Sequence, residues 1–258
     1  MAGVDILASA MTGANAAFLA DLYARWVERP DSVDPSFSEL FAALNKNGIN
    51  PKKSSDVKII TQPFDMNLFL QRKIDAAAAM TYNELAQVLE SKNPKTGKLY
   101  KLSDLNVFKM SDPKVGTGML EDNVFVTDKY LKTDPTTITK FLQASFQGWI
   151  YCRDHVQECT NIVLKNGPTL GRGHQLWQMN EINKLVWPNP SGIGTVPKRS
   201  INTTATIAKT YGVIKKMPSN ATTYELAGRA LDRLKAQKVD VYGKKYKPIT
   251  VQVTAGGK

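Results

Sequence analysis

Between residues 57 and 110 short apolar runs alternate with short helical patterns, and this alternation constrains the chain more than any other feature. "VKIITQ" (57–62) reads as a buried strand, "DMNLFLQRK" (65–73) as a short helix and "IDAAAAMTY" (74–82) as a small-residue strand. "NELAQVLES" (83–91) reads as a helix and "DLNVFKM" (104–110) as a further strand, with "KNPKTGK" (92–98) as a turn-rich surface loop between them. Strands and helices alternating at this spacing predict parallel α/β units covered on both faces.

Helical periods dominate on either side. After Asn15, a good cap, Phe18, Leu19, Leu22, Tyr23 and Trp26 recur at three- and four-residue intervals until Pro30 stops the pattern. A second helix starts at Asp34-Pro35, carries Phe37, Leu40, Phe41 and Leu44 on one face, and ends at Gly48. Two short helices with one apolar stripe each must bury those stripes on a partner or on the rest of the chain. Downstream, Thr133 or Asp134 caps a long helix that Pro135 opens and that Ile138, Phe141, Leu142, Ser145 and Trp149 keep in period. Further helices are predicted over 155–167, 174–187 and 221–237, with a terminal strand in "KPITVQVT" (247–254).

Composition narrows the function classes. The chain has 258 residues, 42% of them hydrophobic, which suffices for one large domain or two lobes with a real core. Its net charge of +11 calls for acidic partners to be considered, but the lysine pairs lack the interleaved aromatics that stack bases, so nucleic acid is not expected. No run reaches the roughly 18 apolar residues of a membrane span. The N-terminus has no basic region and carries Asp5 before a weak apolar stretch, so it does not read as an export signal.

Catalytic motifs are sparse in the chain. His155 and His174 have no carboxylate or cysteine at zinc-ligand spacing, so no metal site is expected. "GTGMLE" (116–121) has Glu121 where a dinucleotide fingerprint needs glycine, "GIGTVP" (192–197) ends in Pro197, and "KTGK" (95–98) is not a phosphate loop. A hydrolase, kinase or nicotinamide enzyme is disfavoured, and no cofactor is expected.

What remains is two polar clusters placed just after predicted strands: Thr81, Tyr82, Asn83 and Glu84, and Glu121, Asp122 and Asn123. Ligands of open α/β sheets sit outside the carboxyl ends of strands, so a small molecule would be held there. Tyr82 could stack on a flat ring while Asn83, Glu84 and Glu121 hydrogen-bond its edge; the alternative makes these residues helix caps and inter-lobe contacts. Cys152 and Cys159 would lie about 10.5 Å apart on a straight helix, too far to bridge. A disulfide needs a turn near Arg153-Asp154-His155; otherwise both are reduced core residues.

"FDMNLFLQRKIDAAAAMTYNELAQVLE", "LEDNVFVTDKYLKTDPTTITKFLQASFQGWIYCRD" and "LKNGPTLGRGHQLWQMNEINKLVWPNPSGIG" resemble the solute-binding proteins of ABC importers, in the nitrate/sulfonate/taurine group and its thiamine-pyrimidine-precursor relatives. The resemblance covers about residues 40–258. It implies a periplasmic-binding-protein-like two-lobed α/β fold (type II) that closes on its ligand like a hinge, with an incomplete first lobe. It assigns 45–120 mostly to the second lobe and 121–258 mostly to the first, places both polar clusters at the ligand site, and has Cys152 and Cys159 meet across a helix corner. It implies a small-molecule ligand, an ABC permease as partner and no enzymatic step. Yeast pyrimidine synthases share the fold but use a cysteine-rich iron motif, and this chain has only two cysteines. Localisation by resemblance is periplasmic; without an export signal the chain as written reads as cytoplasmic.

"TGANAAFLADLYARWVERPDSVDPSFSELFAAL" resembles instead the N-terminal arm of the dehydrogenase component of the 2-oxoglutarate dehydrogenase complex. That resemblance implies a helical arm over 1–44 which docks on the acyltransferase core through residues 15–44, with Phe18, Leu22, Tyr23 and Trp26 as contacts. The two resemblances together imply a seam near Leu44, as in a fusion.

Overall fold

The computed structural model describes residues 23–29, 32, 48, 60, 62–112, 118–120, 122–210 and 213–256. The chain divides into two compact units, Met1–Gly118 and Met119–Lys258.

In the first unit residues 23–28 are helical. Tyr23 is buried there, its ring centroid 5.7 Å from that of Trp26. Two short helices follow, α1 (Asn67–Leu70) and α2 (Glu84–Leu89), and then a 3-10 turn at Leu102–Asp104. Ala86, Val88 and Leu89 of α2 are buried, as are Met66 and Tyr100. The 92–98 segment is the turn its composition predicts: Lys92 and Leu99 form an isolated antiparallel bridge, the Asn93 N–H donates to the Lys98 carbonyl at 2.7 Å, and Gly97 takes φ +68°.

That bridge is the one strand-like pairing among the described residues. The strands expected at 74–82, 104–110 and 247–254 form no ladder there, and of 57–62 only Ile60 and Gln62 are described. Alternate bonding partners give the physical reason. At Ala78 the Gln62 side chain supplies both bonds a neighbouring strand would have made: its Nε2 donates to the Ala78 carbonyl and its Oε1 accepts from the Ala78 N–H, each at 2.9 Å. An alanine-rich run has weak β preference of its own, so without a partner it stays irregular. The terminal segment crosses a helix rather than a strand, its Ile249 N–H donating to Asn180 Oδ1 at 3.1 Å. The two-lobed α/β architecture thus stands as an expectation from resemblance, while the described residues are helical.

The second unit contains α3 (Asp128–Thr133), α4 (Pro135–Asp154), α5 (Val156–Asn166), α6 (Arg172–Val186), α7 (Lys198–Thr210) and α8 (Glu225–Ala236). Thr127 caps α3, its Oγ1 accepting from the Tyr130 N–H at 3.2 Å. Of the two candidate caps of α4, Asp134 serves: its Oδ1 accepts from the Thr137 N–H at 3.0 Å, with Pro135 at the first position. That bond holds the Asp134 carboxyl below its ordinary pKa. Helix α7 falls in a stretch where the apolar period is too sparse to predict a helix.

Phe146 and Ile150 of α4 pack against Ala227, Ala230, Leu231 and Leu234 of α8, closed by Trp187, Ile193 and Val241. Ala230, Leu234 and Val241 are 0% exposed, so this is the densest part of the unit. The "GIGTVP" turn, rejected as a nucleotide fingerprint, is a packing device: Gly194 has φ +76°, and a Cβ there would stand 2.2 Å from Phe146 Cζ. Only glycine meets both demands.

Candidate functional site

The first polar cluster forms the turn entering α2. Asn83 and Leu85 N–H groups donate to the Met80 carbonyl at 3.3 and 3.1 Å. The Met80 N–H donates to Glu84 Oε2 at 2.9 Å, and Asn83 Nδ2 donates to Glu84 Oε1 at 3.2 Å. Gln87 Nε2 in turn donates to Asn83 Oδ1 at 3.3 Å, and Gln87 Oε1 accepts from the Met66 N–H at 3.2 Å. Glu84 is buried, and each of its carboxylate oxygens has a partner within the turn. Through these bonds Glu84 ties the backbone at Met80 to the start of α2. Thr81, Tyr82 and Asn83, half-buried, are the side chains this turn presents.

The second cluster lies in the other unit. Asp122 and Asn123 are exposed on an irregular stretch, 122–127, that leads into α3, and Glu121 lies outside the described residues. The same stretch exposes Val124 and Phe125.

The second unit also holds a buried polar cluster that the sequence reading passes over. Arg153, at the end of α4, is buried and forks onto its neighbour: Nε meets Asp154 Oδ1 at 2.7 Å and Nη2 meets Oδ2 at 2.8 Å. Its Nη1 donates to the Asp240 carbonyl at 2.8 Å, and its guanidinium lies 4.7 Å from the centroid of the Trp187 ring. The bonds to Asp154 raise the Arg153 pKa and keep it charged. Beside it Asn183 Nδ2 donates to the Cys152 carbonyl at 3.4 Å. Asn183 Oδ1, Trp187 Nε1 and Tyr246 Oη are buried without a hydrogen-bond partner. Burial pushes the Tyr246 hydroxyl up in pKa, helped by the charge of Glu181. The helix breaks at His155, where Cys152 and Cys159 are joined by a disulfide with Cα atoms 5.4 Å apart. His155 stacks on Tyr151 at 4.3 Å, while His174 is buried in α6. Among the described residues no three His, Cys, Asp or Glu side chains gather as a metal site.

A family model described as NMT1/THI5 like matches residues 19–159. The chain belongs to the NMT1/THI5-like family. No curated protein and no solved structure matches it. The NMT1/THI5-like family falls within the ABC solute-binding proteins for nitrate, sulfonate and thiamine precursors, and it carries with it a periplasmic-binding-protein-like fold and a substrate-binding role.

The match begins at residue 19 and runs across Leu44, so the supposed seam falls inside the NMT1/THI5-like region. Nothing in the comparisons supports the dehydrogenase arm or its docking to an acyltransferase core. Of its four contact residues, Phe18 and Leu22 lie outside the described residues and Tyr23 is 5% exposed, its apolar surface already covered rather than offered to a partner. No described helix is long and apolar enough to cross a membrane.

Signals for the missed residues were present. Asn180 and Asn183 stand three apart in "WQMNEINKLVW", and polar residues at that spacing share a helix face. Because their neighbours Trp177 and Trp187 are aromatic, that face was bound to be a buried one carrying amide groups that need partners.

Proposed function

We propose that this NMT1/THI5-like chain binds a small polar heterocycle of the thiamine-pyrimidine-precursor type and hands it to an ABC permease without transforming it. The family match over 19–159 carries this reading. The turn at 80–84 adds to it: Glu84 and Gln87 fix the backbone, so Thr81, Tyr82 and Asn83 are held in place before any ligand arrives, which lowers the ordering cost of binding. On this reading Tyr82 stacks on the heterocycle, while Asn83, whose amide is bonded to Glu84 and Gln87, braces the turn beside it. The ligand is then held by stacking and satisfied hydrogen bonds.

The pyrimidine-synthase alternative receives less support. By resemblance those synthases use a cysteine-rich iron motif, whereas the two cysteines of this chain are joined in the Cys152–Cys159 disulfide.

A thermal-shift screen tests the reading, with the hydroxymethyl-pyrimidine precursor of thiamine, taurine, an alkyl sulfonate and nitrate as probes. The pyrimidine should raise the melting temperature in a concentration-dependent way. Tyr82→Ala should weaken its affinity by about tenfold, the worth of one stacked ring. Stabilisation by taurine or nitrate alone would redirect the ligand assignment, and no shift with any probe would remove it.

A further inference from the structure

Two stretches of the second unit are equally basic, 198–216 with five cations and no acid and 229–247 with the same net charge, and in the second the fold brings cations of two elements onto one ring. Residues 229–247, "RALDRLKAQKVDVYGKKYK", contain Arg229, Arg233, Lys235, Lys238, Lys244, Lys245 and Lys247 against Asp232 and Asp240, seven cations to two acids. These 19 residues therefore hold +5 of the chain's +11. All seven cationic side chains are exposed. Two have acidic partners, Arg229 with Glu225 and Lys235 with Asp232. Asp240 neutralises little of the rest, because its Oδ1 accepts the Tyr242 and Gly243 N–H groups at 3.0 and 3.1 Å and its Oδ2 faces buried Arg153 at 3.7 Å.

The fold then draws the charges together. The Val239 N–H donates to the Leu234 carbonyl and so folds the chain back off the end of α8. Lys235 Nζ from the helix and Lys244 Nζ from the loop lie 5.9 and 5.2 Å from the centroid of the same ring, Tyr242. Two like charges on one ring cannot neutralise each other, and an anion placed beside them would be drawn to both.

We infer that this basic surface, centred on Tyr242 and made by the end of α8 and the 244–247 loop, docks on the anionic headgroups of a phospholipid membrane. Three features favour lipid over nucleic acid. Long lysine stems adapt to a fluid sheet of phosphates without a fixed spacing. Tyr242 and Tyr246 both pack against the apolar core and the Tyr242 ring already carries two ammonium groups, so neither aromatic is set out as a platform for bases. The family's role also sets the chain beside a membrane permease, and this inference rests on that role only for its choice of polyanion.

Co-sedimentation of the full chain with vesicles tests it and needs no solute, so its outcome is independent of the ligand screen. Vesicles of phosphatidylcholine with about one third phosphatidylserine should retain the chain at low salt, pure phosphatidylcholine should not, and raising the salt should release it. Exchanging Lys238, Lys244, Lys245 and Lys247 together for Gln should lower the partition coefficient by about a hundredfold or more. The same exchange at four exposed lysines elsewhere in the unit, Lys129, Lys132, Lys140 and Lys209, should leave most of the binding intact. Equal losses from the two sets would overturn the inference in favour of diffuse net charge. Equal retention by the two vesicle types, no retention at all, or tighter binding to a short DNA duplex at the same salt would overturn it as well.

Discussion

The two compact units satisfy their backbones in different ways. In Met119–Lys258 long helices bond internally and bury an apolar face, so Phe146, Ile150, Leu231 and Leu234 meet in one core. In the described part of Met1–Gly118 the helices are short, and side-chain amides and carboxylates do much of the work: Gln62 bonds Ala78, Glu84 bonds Met80, Gln87 bonds Met66 and Asp104 bonds Lys101. Buried volume dominates in one unit, while in the described part of the other single polar side chains tie the backbone. Deleting buried volume should therefore hurt the second unit most, and deleting one amide should hurt the first.

Leu234→Ala should have the largest effect, a loss of about 3–5 kcal/mol in urea denaturation, since this side chain is 0% exposed. Gly194→Ala comes next, at about 3 kcal/mol, because the new methyl would collide with Phe146 on a backbone at φ +76°. Gly148→Ala is its control within α4: nothing lies within 4 Å of its Cβ position, so it should be neutral or gain about 0.5–1 kcal/mol from helix propensity. If both alanines cost the same, close packing is not what distinguishes the second unit.

In the first unit Gln62→Ala should cost about 1–2 kcal/mol through its two lost bonds, and amide hydrogen exchange at Ala78 should accelerate. Tyr246→Phe sharpens the contrast from the other side. Its hydroxyl is buried without a partner, so removal should be neutral or gain about 1 kcal/mol, and a clear loss would mean that the hydroxyl has a bound partner.

The smallest effect belongs to Asp134. Its carboxyl titrates below the ordinary value of 3.8, chiefly through the bond from the Thr137 N–H, so the ionised cap contributes fully above that value and fades as pH falls through the lowered one. The stability gap between the wild type and Asp134→Ala should stay level from neutrality to about pH 5 and narrow below pH 4.

Helices with a long period and a cap were legible in the sequence. Asp134-Pro135 marked the start of α4, and the pattern over 174–187 found α6, observed at Arg172–Val186, because cap chemistry and a 3.6-residue period are local properties. The expected strands were not legible in the same way, since a strand exists only through a partner that its own residues do not encode. At Ala78 that partner is a glutamine side chain, and at Ile249 it is an asparagine on a helix. The site shows the same division. "TYNE" marked a polar turn, but Glu84 pointing back onto Met80 depends on backbone direction that spacing does not report. Arg153 entered the sequence reading only through the turn at 153–155, because its cover, Trp187 and Asp240, comes from positions 34 and 87 residues away.

The Gln62 amide has a consequence for solubility. Its carboxamide copies a peptide group closely enough to occupy the one donor and one acceptor of Ala78 that a foreign β-strand would use to attach. Residues 76–79 are four uncharged alanines whose small side chains do little to shield the backbone from another chain. Gln62→Ala would bare both groups of Ala78, and the expected outcome is a greater tendency to self-associate in concentrated solution, read by light scattering.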